Sequence, residues 1–272
     1  MLAKSSISLY CLALSIVLST PPAFAGSFQV VPIKLFFDAK AQTAVLNVTN
    51  KGEEKATIQL EALEWNQNVN GEDQYAQTKE IIFFPKILSV EKGEEKIVRI
   101  GYQGRSPGTK EKTYRLYLAE LPISKPGETT VKMLLRLGLP IFISPTKPIL
   151  KSAIEKVALF DGAIGVTVKN DGNQHVLVNK IKATALISPD TETFSKEITG
   201  WYVLAGASRT FYMEMPREAC EKSRTIKMII KIEQQADMTA ESDVDQSQCR
   251  RKAEETEKRG KKEKPIQTTG WV

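Results

Sequence analysis

Thr113-Tyr114-Arg115-Leu116-Tyr117-Leu118-Ala119-Glu120-Leu121-Pro122 and, after a short polar turn, Val131-Lys132-Met133-Leu134-Leu135-Arg136-Leu137-Gly138-Leu139-Pro140-Ile141-Phe142-Ile143-Ser144-Pro145 decide the fold. Side chains alternate across a strand, so Val131, Met133, Leu135, Leu137 and Leu139 share one face of the second run. Lys132, Leu134 and Arg136 occupy the other face. Read as one strand from Thr130 to Ser144, the run has about fifteen residues and reaches near 50 Å at roughly 3.3 Å each, against the usual five or six residues. Part of such a strand overhangs its own domain. An overhanging apolar edge offers unpaired backbone groups and alternate side chains to another protein's strand.

Outward from this stretch, the first half reads as a succession of strands: Phe28–Phe37, Thr43–Thr49, Ala56–Trp65, Ile81–Phe84, Lys96–Tyr102, Thr113–Leu121 and Thr130–Ser144. Turn formers such as Asn50-Lys51-Gly52, Asn70-Gly71-Glu72-Asp73 and Lys125-Pro126-Gly127 punctuate them. Short strands at this spacing predict an antiparallel immunoglobulin-type sandwich. From Thr57 to Trp65 apolar and polar residues mostly alternate, which puts Trp65 in a core. Pro145-Thr146-Lys147-Pro148 predicts a hinge, because each proline fixes its own backbone angle and restricts its predecessor. Beyond it, Ala153–Phe160, Ala163–Lys169, His175–Ile187, Thr193–Leu204, Arg209–Met213 and Thr225–Glu233 read as strands again. The expected fold class is all-β: two immunoglobulin-like sandwich domains joined at a proline-rich hinge in a boomerang-like arrangement.

The ends of the 272-residue chain are of a different kind. Residues 1–25 carry Lys4, an apolar run from Ile7 to Leu18, Thr20-Pro21-Pro22 and Ala23-Phe24-Ala25, the pattern of a secretory signal cut after Ala25. The apolar run is shorter than the roughly 20 residues of a membrane span, so the expected mature protein is soluble and exported. Cys11 leaves with the signal, and Cys220 and Cys249 remain to form one disulfide in an oxidising compartment. Closing that loop is worth about 3 kcal/mol in the chain-entropy model. The one histidine, His175, sits in a loop-like context and is read as solvated, which argues against histidine-based catalysis or metal binding. The expected divisions are a signal at 1–25, a first domain at 26–145, a second at 146–249 and a disordered basic tail at 250–272. Arg250 to Lys264 holds eight basic residues against four glutamates, so much of the formal +6 charge belongs to that tail. With no aromatic residues interleaved there, nucleic acid is not an expected partner. Neither a phosphate-binding glycine loop nor a nucleophile elbow is present; no cofactor and no enzymatic activity are expected.

Tyr114-Arg-Leu-Tyr-Leu-Ala-Glu-Leu-Pro122 followed by Arg136-Leu-Gly-Leu-Pro-Ile-Phe-Ile-Ser-Pro145, in an exported chain of two sandwiches, resembles the PapD-like periplasmic chaperones of the chaperone/usher route. Leu139-Pro-Ile-Phe-Ile-Ser-Pro145 resembles the archaic branch of that family more than the classical one. The resemblance implies that the last strand of the first domain inserts alternate side chains into a pilus subunit lacking its own final strand. The groove-binding positions so implied are Val131, Met133, Leu135 and Leu137. It also implies that the subunit's terminal carboxylate is held between two basic residues in the interdomain cleft. The first corresponds to Lys34, three residues before Phe37-Asp38. The second falls on Pro140, a departure from the classical pattern, and leaves Arg136 on the same strand face and Arg115 on the neighbouring strand as candidates, with Arg99 a weaker one.

The resemblance thus implies a periplasmic chaperone that caps pilus or fimbrial subunits and passes them to an outer-membrane usher; its exposed apolar edge leads to the expectation of self-association when unloaded. The reading from a different class is a structural subunit of a surface fibre or coat. Its expected single sandwich with an N-terminal donor extension does not match two sandwiches with few residues after Ala25.

Overall fold

The computed structural model describes residues 28–105, 108–122 and 133–249. The first half places β1 (Phe28–Val31), β2 (Leu35–Phe37), β3 (Thr43–Asn50), β4 (Ala56–Gln67), β5 (Asp73–Gln77), β6 (Ile81–Phe84), β7 (Ile87–Val90), β8 (Glu95–Tyr102), β9 (Lys112–Glu120) and β10 (Arg136–Ile143) in two facing sheets. One has the order β1-β3-β8-β6; the other runs β2-β10-β9-β4-β5, with β7 also paired to β4. The expected first strand, Phe28–Phe37, is divided at Pro32, which has no N–H for a ladder. Its two pieces join different sheets.

Alternation explains how the sheets meet. In β4, Ile58, Leu60 and Ala62 are buried while Thr57, Gln59 and Glu61 are half-buried. Leu46 and Val48 of β3, Val98 and Ile100 of β8, Leu116 and Leu118 of β9, and Ile141 and Ile143 of β10 complete one core with them. Each such side chain contributes about 1.5–3 kcal/mol when fully buried.

The second half holds β11 (Ser152–Phe160), β12 (Ala163–Asn170), β13 (Val176–Ser188), β14 (Thr191–Thr199), β15 (Tyr202–Val203), β16 (Ser208–Glu214), the helix α1 (Arg217–Lys222), β17 (Thr225–Ile232) and β18 (Met238–Asp243). Its sheets have the orders β11-β12-β16 and β14-β13-β17-β18, and Val166, Val178, Ile181, Met228 and Ile230 lie in the core between them. Cys220 on α1 and Cys249, at the end of a 3-10 turn, form the expected disulfide with a Cα–Cα distance of 5.6 Å.

The halves repeat one device. Asn50 and Asn170, both fully buried, end β3 and β12. The Asn50 amide donates to the Glu54 and Val90 carbonyls and its oxygen accepts from the Gly52 N–H. The Asn170 amide donates to Gln174 and Val203, and its oxygen accepts from Gly172. Buried amides retain their place only when satisfied in this way.

The contact between halves refines one expectation and overturns another. Trp65 is fully buried in a core, as expected, and that core is a cluster with Phe142, Tyr202 and Leu204. The indole projects from the outer face of its sheet, and residues of the second half cover it. His175 is not solvated: its side chain is 12% exposed, its Nδ1 lies 2.9 Å from the buried Glu111 carboxylate, and its backbone N–H donates to the same group. Further ties join the Asp73 carboxylate to Trp201 and Arg209, and Gln67 to the backbone of Tyr202 and Leu204.

Candidate functional site: an open strand rim leading to a basic cleft

The strand expected over Thr130–Ser144 is β10, eight residues from Arg136 to Ile143. Met133 to Leu135 precede it outside any strand, and Val131 and Lys132 lie outside the described residues. The ladder shortens for a reason in its neighbour. β9 ends at Glu120, whose N–H donates to the Leu135 carbonyl at 2.9 Å, and Pro122 has no N–H to continue.

β10 pairs with β9 along its whole length, from Arg136 opposite Ala119 to Ile143 opposite Lys112. On its other side β2 pairs only with Ile141 to Ile143, in parallel. From Arg136 to Pro140, therefore, one rim of β10 meets no strand among the described residues.

Side chains along this rim show a gradient. Met133 is 92% exposed, Leu135 and Leu137 are partly buried against the first core, and Leu139 is buried. The oily row thus starts in water and ends inside the sandwich. The opposite face carries Arg136, Gly138, Pro140 and Phe142. A Cβ at Gly138 would stand 2.9 Å from the Tyr117 ring, so glycine makes room for that aromatic. Arg136 lies over Tyr117 at 4.1 Å and approaches the Glu61 carboxylate at 3.7 Å. Burial, followed by a hydrogen bond with Tyr117, pushes the Tyr75 phenol above its ordinary pKa.

The basic candidates separate into two places. Lys34 precedes β2 and, by the parallel register, stands beside Pro140, which in turn faces Arg115 across the β10–β9 ladder. Lys34 and Arg115 therefore flank the proline on one sheet face. Tyr202 of the second half is near both: the Lys34 ammonium is 5.8 Å from its ring centroid and the Arg115 guanidinium 5.4 Å. Arg136, four residues upstream and about 13 Å away at strand rise, is engaged elsewhere by Tyr117 and Glu61. Arg99 sits on the four-stranded sheet, opposite Val45 and Phe84.

Arg115 is 5% exposed and lies 3.8 Å from the Trp65 ring centroid. One terminal nitrogen donates to the Gly138 carbonyl at 3.3 Å, while Nε and the other terminal nitrogen are buried without a hydrogen-bond partner. Lys34 is paired with Glu233, its Nζ 3.2 and 3.3 Å from the two carboxylate oxygens. Glu233, Trp201 and Tyr202 were not singled out from the sequence. The glycine at Gly200, in the break between β14 and β15, is the one local signal, and it lies next to Trp201 and Tyr202.

Two immunoglobulin-like sandwiches, a strand with one rim unpaired among the described residues from Arg136 to Pro140, and a lysine and an arginine beside its Pro140 end define the class: an all-β fold with an open strand rim. Residues 27–148 match the family model of the pili and flagellar-assembly chaperone, PapD N-terminal domain. Those residues, somewhat under half of the chain, are therefore a PapD-type N-terminal domain. In fold it is similar to a chain of the CsuC–CsuE chaperone–tip adhesion subunit pre-assembly complex of archaic Csu pili from Acinetobacter baumannii. That likeness has 21% identity and a TM-score of 0.54 and covers 79% of this chain and 98% of that one. A chain from the Salmonella enterica SafA pilin–SafB chaperone complex matches with 14% identity, a TM-score of 0.51, and 83% and 98% coverage. No curated protein matches the chain in sequence.

Proposed function

We propose that this protein is a periplasmic chaperone of the archaic branch that caps incomplete pilus subunits through β10 and delivers them to an outer-membrane usher. The observation that carries the reading is the rim of β10, open from Arg136 to Pro140 and running into the cleft at Lys34. A subunit strand laid along it gains main-chain hydrogen bonds, and Met133, Leu135 and Leu137, with Val131 upstream, fill the pockets of its missing strand. Lys34 receives the subunit's terminal carboxylate. Arg115, from the adjacent strand, takes the second basic place that Pro140 leaves vacant, since its Nε and one terminal nitrogen keep N–H groups that nothing among the described residues satisfies. Arg136 serves the strand face through Tyr117.

The same reading makes residues 1–25 an export signal, 26–145 the subunit-binding domain, 146–249 the second domain and 250–272 a basic tail. Unloaded copies associate through the same rim, because an uncovered apolar edge is a template for pairing.

The test is co-expression in the periplasm with a pilus subunit that lacks its own last strand. The expected result is a soluble equimolar complex, lost in Leu135→Asp and weakened in Lys34→Ala. Full retention of the subunit by both variants would overturn the proposal.

A further inference from the structure

Glu233 occupies the position that a ligand carboxylate would take. It follows β17 and belongs to the second half, 199 residues from Lys34, and its own N–H donates to the Leu177 carbonyl at 2.9 Å. From that fixed backbone it presents both oxygens to Lys34 at nearly equal distances, 3.2 and 3.3 Å. This is how a chain-terminal carboxylate would meet the same ammonium. The side chains are 26% and 39% exposed, so water reaches the pair and an incoming anion can exchange with it. A partly exposed pair of this kind is held weakly, which suits a contact that is displaced rather than a permanent strut.

We infer that Glu233 is a built-in competitor for the subunit's terminal carboxylate at Lys34. The unloaded cleft satisfies its lysine internally, and loading replaces Glu233 with the subunit's chain end. The inference rests on the reading of Lys34 as the anchor. Displacement also removes one tie between the halves, leaving the Glu111–His175 and Asp73–Trp201 contacts in place. Binding and interdomain contact are thereby coupled, and the coupling is reciprocal: whatever loosens Glu233 from Lys34 tightens carboxylate capture.

The experiment uses the full mature chain and a short strand-forming peptide of alternating valine and threonine, prepared with a free terminal carboxylate and as its amide. Affinities are measured by calorimetry at low salt. Wild type is expected to prefer the free carboxylate, and Lys34→Ala to erase that preference; a preference unchanged in Lys34→Ala removes the anchor reading itself, and this inference with it. Glu233→Gln is expected to tighten binding of the carboxylate form about two- to fivefold, the range set by a partly exposed ion pair, and to leave the amide form unchanged. The gain should shrink as salt rises and be absent in the Lys34→Ala, Glu233→Gln double variant. If the preference depends on Lys34 but Glu233→Gln weakens carboxylate binding, leaves it unchanged or shifts both peptides equally, Glu233 is a support for Lys34 and not its competitor. That result would overturn the inference while leaving the anchor standing.

Discussion

The ring of Phe142, at the end of β10, and the imidazole of His175, from the second half, stack with centroids 3.6 Å apart and planes 13° from parallel. One end of the open strand is thus clamped by the other half of the molecule. The buried Glu111 carboxylate orients the imidazole, and Trp65 and Tyr202 close the cluster around Phe142. Only the Arg136 end of the strand has a rim to offer.

Truncating this clamp should be costly. Phe142→Ala is expected to lower stability by about 3–5 kcal/mol, the range for a buried aromatic replaced by alanine. Because Phe142 serves both halves, urea unfolding followed by tryptophan fluorescence and by far-ultraviolet dichroism should separate into two transitions. Coincident curves with an unchanged midpoint would contradict a shared core.

The gradient along the rim gives a second prediction, in which stability and binding part company. Met133→Ala removes a side chain that is 92% exposed and should leave the unfolding free energy within about 0.5 kcal/mol of wild type. Leu137→Ala, half-packed against the core, should cost about 1–2 kcal/mol, less than the 2–5 of a fully buried leucine. If both side chains enter subunit pockets, each truncation lowers subunit affinity by about 10- to 100-fold. Equal loss of stability in the two variants, or undiminished capture by both, would count against the rim.

An acid-side dependence follows from Glu80. The Tyr114 hydroxyl, and after it the Lys112 ammonium, hold this carboxyl below its ordinary pKa of 4.5 against an opposing contribution from burial. A carboxyl lowered in the folded state contributes stability above its unfolded value, and that contribution disappears as pH falls through the folded one. The first half should therefore lose stability on acidification below about pH 4.5, and Glu80→Gln should flatten that part of the profile. Parallel profiles for wild type and variant between about pH 3 and 6 would show that the group contributes nothing there.

The disulfide encloses β17 and β18, because Cys220 and Cys249 stand on either side of them in sequence. Cys220→Ser is expected to cost about 3 kcal/mol in equilibrium unfolding. Wild type treated with reductant should show the same loss, and a reductant-insensitive midpoint would argue that the bond does not constrain the unfolded chain.

Much of this architecture was legible where one face of a strand is buried. β4 and β17 announce themselves by alternation. β5, Asp73–Gln77, gave no such signal because none of its five residues is buried. β18, Met238–Asp243, is a polar edge of the same kind. Alternation also says which residues are buried, but not which surface covers them; Trp65 is in a core as expected, and that core is shared with the second half. Lys34 was reached through the family resemblance alone, and the structure shows it paired with Glu233. That partner was not legible, since no periodicity links residues 199 apart. The twin Asn-x-Gly turns at Asn50 and Asn170 were legible in principle as a repeat, and each glycine donates its N–H to the preceding asparagine.

The short strand β2 has a consequence for any chain added beside β10. It occupies the rim from Ile141 onward, and Pro140 presents no N–H at the junction. A guest strand running in the direction of β10 must therefore stop level with Lys34. Its length is gauged by the host's backbone before any charge is read, and a guest one residue too long would meet β2 instead of the cleft.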